Sequence, residues 1–220
     1  MKKPAVPHVA RTPRRPGRPT RSDAGQRARL LDTALQLFAR QGIAATSVNR
    51  IAREAGVTPA LMNYYFGNRE QLLDVLVSER LLPLIGNLVM RLQAGGEGPG
   101  QTVPVFVRTV METLDANPWL PPLWVREVLS DGGLLRERLL GNARLLAPIM
   151  RDRFAAAQQG GRLNPDVDPR LLMVSLIGLT IFPFAARPIW RSLFAADDID
   201  TEVMIKHTLA LLTRGLEVKS

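Results

Sequence analysis

Residues 46–66, TSVNRIAREAGVTPALMNYYF, gather side chains suited to reading a DNA duplex. Asn49 can make a paired hydrogen bond to adenine, and Arg50 suits guanine or a phosphate. Pro59, Ala60 and Leu61 offer no side-chain hydrogen bonds, so they can touch thymine methyls and admit close approach. Asn63 and Tyr64 are the polar readers of this set. Thr58 belongs to the same exposed set, and Tyr65 and Arg69 would hold phosphates, as would Ser47 beside a helix N-terminus and Thr46, read as the cap of that helix. One of the two tyrosines could instead pack under the first helix of the chain, Tyr65 before Tyr64. The other reading of Asn49 and Arg50 is an ordinary solvated face.

Two short helices must position these groups. Val48, Ile51, Ala52 and Ala55 fall at i, i+3, i+4 and i+7, on one helical face, with Asn49 and Arg50 opposite. Gly56 permits the left-handed backbone that ends this helix. Thr58 then stands at an N-cap and Pro59 at the first helical position, so a second helix starts there with Val57, Met62 and Phe66 inward. A tight turn between two such helices is a helix-turn-helix, whose second helix enters the major groove.

The charge agrees. Residues 1–23 hold 7 Lys/Arg and 1 acidic residue, residues 24–70 hold 6 and 3, and residues 71–220 hold 16 and 16. The whole formal charge of +9 lies in the first third of the chain, as expected of a nucleic-acid-binding region joined to a neutral domain. The first 22 residues contain five prolines and seven basic residues, a composition expected to be disordered when free. Within them Arg18 sits in Gly-Arg-Pro, which resembles the core of an AT-hook. It could enter a narrow A·T minor groove or attract phosphates without specificity.

An enzyme is not expected. There is no cysteine and there are two histidines, His8 in the arm and His207 near the end. No Ser–His–Asp arrangement, phosphate loop or zinc-ligand spacing is visible, and neither a cofactor nor a metal is expected. The lack of cysteine fits a reducing cytoplasm. The basic N-terminus lacks the apolar core of a secretory signal. The longest apolar stretch, Leu171 to Ala186, is 16 residues with Pro183 inside, short for a membrane span.

Helical periodicity continues along the whole chain without strand alternation. The expectation is an all-α protein of about nine helices: 26–40 with Leu31, Ala34, Leu35 and Phe38 inward, the pair above, 68–92 opened by Asn68, then 102–116, 118–130, 134–158, 168–193 and 199–217. Pro83 and Gly86 are expected to kink the fourth helix. Three regions follow: a basic arm at 1–23, a helix-turn-helix domain at 24–70 and a helical domain at 71–220.

The strings LLDTALQLFARQG, TSVNRIAREAGVT, the recognition helix ending in YYF, and GNREQLL together resemble the TetR family of bacterial transcriptional regulators. The resemblance runs from about Arg27 to Arg80. It implies an all-α homodimer with a three-helix head that binds a double-stranded DNA operator. It further implies a larger helical domain that binds a small-molecule effector, and dimer contacts through the last two helices. The family default is repression by steric blocking. Departures fall on DNA-facing positions: Asn63 where the family often has Tyr, Leu61 where it often has a small hydroxyl residue, Asn49 where it often has Arg. The operator sequence therefore cannot be borrowed from a relative.

For an effector site the distal aromatics are the first candidates: Phe106, Met111, Trp119, Trp124, Met150 and Phe154, with Arg108, Arg126, Glu127 and Asn142 to orient a ligand. The competing function is an architectural or occlusion protein that binds DNA without an effector. A filled distal core would favour that alternative, and a cavity would favour a ligand-responsive regulator. Helix 4 joins the two regions and is the expected lever between them.

Overall fold

The computed structural model describes residues 21–96 and 98–217. For Arg21, Ser22, Asn142, Ala143, Leu145 and Leu146 it describes the backbone only. Among the described residues there are helices and no strands.

Helix α1 spans Arg21–Gln41, α2 Val48–Glu54 and α3 Pro59–Phe66. Helix α4, Arg69–Leu76, passes through a π-turn at Val77–Leu81 into α5, Leu82–Ala94. Helix α6 is Pro99–Ala116, and α7, Leu120–Trp124, runs into a second π-turn at Val125–Leu129. Then come α8 at Arg136–Gln159, α9 at Pro169–Ala185, α10 at Arg187–Phe194 and α11 at Thr201–Leu216. Among the described residues eleven helices stand where nine were expected, because two of the expected helices are each divided.

The first division has a local cause. Pro83 has no N–H, and its ring would clash with the carbonyl of residue 79 in a regular helix. The chain inserts one residue instead, and the Leu82 N–H reaches back to the Val77 carbonyl. The π-turn thus lies ahead of Pro83. Gly86 sits inside α5 with open space where a side chain would stand, and it makes no kink. The second division is at Ala186, where α9 and α10 meet at 70°. Pro188 lies in the first turn of α10, where its missing N–H costs nothing, but it could not have continued α9. No single helix among the described residues is long and apolar enough to cross a membrane.

Two apolar clusters form the interior. The first surrounds α1: Leu31, Ala34, Leu35 and Phe38 are all buried against Ile51, Ala52, Met62, Phe66, Leu72 and Leu73, and Leu123 of α7 with Val128, Leu135 and Leu139 beyond it join them. The second fills the distal bundle with Phe106 and Met111 of α6, Met150 and Phe154 of α8, Leu172 and Leu176 of α9, and Met204 and Ile205 of α11. Charged pairs tie the outside of the first cluster. Arg27 of α1 places both terminal nitrogens on Glu79 at 2.6 and 2.7 Å, a bidentate hydrogen bond that holds the Glu79 carboxyl below its usual range. Arg138 of α8 holds Asp74 at 2.8 Å and Glu70 at 2.6 Å, both on α4.

Candidate nucleic-acid interface and distal cavity

Each helix of the helix-turn-helix is set by its own cap. Ser47 is the N-cap of α2 and accepts the Arg50 N–H at 3.2 Å. Thr46, read from sequence as that cap, is corrected: it is 1% exposed, and its hydroxyl donates to the Gly42 carbonyl at 2.7 Å. A side chain so enclosed has no path to a phosphate. Gly56, at φ +69°, makes the turn. Thr58 caps α3 by accepting the Leu61 N–H at 3.3 Å, with Pro59 next in the chain. Asn68 and Gln71 cap α4 reciprocally, at 3.0 and 2.9 Å.

The apolar faces of the pair are spent inward, so the remaining positions face out. Ser47, Asn49, Arg50, Thr58, Pro59, Ala60 and Asn63 are exposed and Leu61 is half-buried. Tyr64 is 78% exposed, far beyond what packing would leave for an aromatic ring. Arg53, exposed one turn beyond Arg50, joins this surface and was not among the residues singled out from the sequence. Two members of the expected set are turned away. The half-buried Tyr65 points its hydroxyl toward Gln26 of α1, 3.4 Å off, and meets Tyr64 edge-on. Desolvation first, then Asp23 and Tyr64, hold its phenol above the ordinary range, so it stays a neutral donor. Arg69 donates to the Ile43 carbonyl, and its Nε is buried, so it braces the head rather than reaching for phosphate. Arg18 lies outside the described residues.

Behind the head, α5, α6, α7, α8 and α9 line a partly open cavity of about 120 Å³. Its wall is Leu81, Leu84, Ile85, Leu88, Val110, Leu114, Leu120, Leu123, Val128, Leu135, Leu139 and Ile181, with Thr109, Thr113 and Trp124. Of the candidate ligand residues whose side chains are described, Trp124 alone lies on this wall. Phe106, Met111, Met150 and Phe154 fill the second cluster, each at most 4% exposed, because large aromatics and methionines are the usual filling of a core. Trp119 packs against the first cluster. Arg126 turns toward the head, and Arg108 is engaged by Glu202 at 2.8 Å. The Asn142 side chain lies outside the described residues.

The sequence matches the family model described as bacterial regulatory proteins, tetR family, over residues 30–76. It also matches tetracyclin repressor-like, C-terminal domain, over residues 99–213. The chain belongs to the TetR family. Among curated relatives, the transcriptional regulator BetI of Rhizobium meliloti (strain 1021) is 33% identical over 100 residues, 46% of this chain and 49% of that one. The transcriptional repressor KstR2 of Rhodococcus jostii (strain RHA1) is 32% identical over 102 residues, 46% of this chain and 50% of that one. The chain thus spans about half the length of these two relatives. The regulator TcmR of Streptomyces glaucescens is 26% identical over 205 residues, 90% of this chain and 86% of that one. Among solved structures, the ketosteroid transcriptional regulator KstR2 of Mycobacterium tuberculosis shares the fold at a TM-score of 0.69, with 18% identity over 88% of this chain and 96% of that one. The homologues are named as transcriptional regulators and not as enzymes.

In this TetR-family chain the head and the cavity share a short connection. The second π-turn follows Trp124 directly and carries Arg126, Glu127 and Val128. Glu127 is 4% exposed; its Oε1 accepts the Ile43 N–H at 2.8 Å and its Oε2 the Leu134 N–H at 3.2 Å. Arg126 donates to the Arg40 carbonyl at 3.1 Å. These partners flank Gly42, whose φ of +87° ends α1, and a Cβ there would stand 3.0 Å from the Arg126 side chain. The turn between α1 and α2 is therefore gripped by the residues next to the cavity wall. Glu127 had been read as a ligand-orienting group; its carboxyl is used on backbone instead.

Proposed function

We propose that the chain is a ligand-released transcriptional repressor. It acts in the cytoplasm as a homodimer on a pseudo-palindromic operator, and its effector is a small apolar or amphipathic molecule held in the distal cavity. One observation carries this reading: cavity wall and helix-turn-helix are joined through residues 124–128, with Trp124 and Val128 on the wall and Arg126 and Glu127 on the α1–α2 turn. A ligand that displaces Trp124 or Val128 moves the grip on Ile43 and with it the seat of α2 and α3. The cavity itself favours this over an occlusion protein without effector.

Dimerisation is proposed through α9–α11. Leu171, Val174 and Phe182 make one exposed stripe on α9, Ile189, Leu193 and Phe194 stand out from α10, and Val203 and Leu211 from α11. A two-fold partner covering this face sets two recognition helices for successive major grooves, about 34–36 Å apart or a multiple.

The test begins with protection of DNA flanking the chain's own gene, followed by anisotropy titration of the protected fragment with and without candidate effectors. A true effector weakens operator binding by a factor of roughly 5–150, and operator weakens effector binding by the same factor. Failure of every cavity-binding compound to change operator affinity refutes the switch. For the head, Asn63→Ala or Tyr64→Ala is expected to lose about 1–3 kcal/mol of discrimination at particular base pairs. Arg50→Ala is expected to lower the salt slope as well if it holds a phosphate. Binding selections on randomised half-sites check this, and equal losses on operator and random DNA for all three would overturn direct readout.

A further inference from the structure

Tyr64 stands clear of the head, and a ring so exposed must be ordered each time it meets DNA. Ordering a side chain on binding subtracts from the affinity its contact provides. Its neighbour Tyr65 is held quite differently. Tyr65 is half-buried and packs against the first cluster. Its hydroxyl is directed at Gln26 Oε1 of α1, and its ring tilts against Phe66 with centroids 6.2 Å apart. Phe66 is buried, and the Arg27 guanidinium lies 5.2 Å from its ring centre while holding Glu79. Three consecutive rings of α3 thus run from core to solvent, and α1 fixes the inner two. The outermost contact is Tyr64 edge-on to Tyr65, with centroids 5.2 Å apart and planes at 68°. That is a favoured geometry for two aromatic rings, the positive edge of one against the negative face of the other.

We infer that Tyr65 is a positioning residue of the DNA-reading surface: its ring holds Tyr64 in the orientation that meets a base pair, so Tyr65 sets sequence preference without touching DNA. The inference rests on the reading of Tyr64 as a base reader and deepens it. A phosphate contact by Tyr65 would need its hydroxyl in solvent, and that hydroxyl is turned to Gln26 instead. Holding Tyr64 in place before DNA arrives moves the cost of immobilising its ring from binding to folding. The gain falls where Tyr64 makes its contact. It therefore shows as preference at one base pair and not as affinity for DNA at large, which phosphate contacts supply.

The chain holds two tyrosines, so the contact can be observed directly. In the free full-length protein with ring-¹³C-labelled tyrosine, cross-peaks between the two rings are expected, with Tyr65 assigned by its loss in Tyr65→Phe. This measurement needs no destabilised variant, and absence of the cross-peaks overturns the inference. Binding selections on randomised half-sites follow, in which Tyr64→Ala marks the base pair whose preference Tyr64 sets. Tyr65→Leu should lower the preference at that same base pair about two- to tenfold, as loss of one aromatic edge contact allows. Its affinity for random DNA and its salt slope should be unchanged. Tyr65→Phe keeps the ring and should keep the preference. In the Tyr64→Ala background, Tyr65→Leu should add no further loss at that base pair, because the two residues act as one. A Tyr65→Leu variant that keeps the full preference, or a loss that adds to that of Tyr64→Ala, overturns the inference alone. So does a Tyr65→Phe variant weakened equally on operator and random DNA with a lower salt slope, which would make the hydroxyl a phosphate contact. Loss of no base preference in Tyr64→Ala refutes the reading of Tyr64, and the inference with it.

Discussion

Phe182→Asp is expected to give a folded monomer whose operator affinity is lower by a factor of about 10²–10⁴. Phe182 is 70% exposed on α9, so the protomer loses no packing, and thermal unfolding of the isolated protomer should change little. In a two-fold dimer the same position would be covered twice, and each copy would bury an unpaired carboxylate in an apolar contact. The large effect on DNA comes from linkage of the two heads: once one half-site is engaged, the second binding step is intramolecular, and a monomer forfeits that gain. Sedimentation equilibrium and operator titration over the same concentration range check the result. A variant that remains dimeric with full operator affinity would remove α9 from the interface.

The second large effect is at Glu127. Its carboxyl serves two backbone donors, the buried Ile43 N–H at 2.8 Å and the partly exposed Leu134 N–H at 3.2 Å. Glu127→Ala strips both; the buried donor left without a partner costs about 1–3 kcal/mol and the partly exposed one less, so a loss of roughly 1–4 kcal/mol is expected in urea unfolding. Glu127→Gln keeps one acceptor oxygen and should cost less than half as much. Its informative readout is coupling: with the grip on Ile43 weakened, the effector's influence on operator affinity should shrink although effector binding persists. Wild-type stability in the alanine variant together with full coupling in the glutamine variant would show that the contact transmits nothing.

The head was legible in the sequence because its determinants are local. The face built by Val48, Ile51, Ala52 and Ala55, the cap at Thr58 and the cap at Asn68 each depend on neighbours within four residues. The errors there were of one position or one direction. Thr46 and Ser47 are both good caps, and only burial under Gly42 chooses between them. Arg69 reads as a cation for phosphate until Ile43, 26 residues earlier, is seen to accept from it. The distal region was legible as helices but not as a cavity. Aromatics drew attention to Phe106 and Phe154, which are core, whereas the wall is made of aliphatic residues such as Leu84, Ile85 and Leu88, indistinguishable in sequence from any packed helix face. Glu127 finds its main partner 84 residues away, a separation that periodicity does not reach. The break at Ala186 was hidden because both sides of it are helical, the apolar α9 running directly into the amphipathic α10.

The grip on the α1–α2 turn also bears on modularity. Regulators of this architecture invite exchange of DNA-binding heads to rewire which promoter answers which signal. Here a cut after residue 70 or after α4 would leave a donor head without Glu127, Arg126, Leu123 and Val128, all of which complete it. The transferable unit is discontinuous: residues 21–81 together with 119–139, which bring the acceptor for Ile43 and the apolar lid over α1. A chimera built on that discontinuous boundary should retain both a stable head and its responsiveness. One joined at a single point should retain at best the ability to bind DNA.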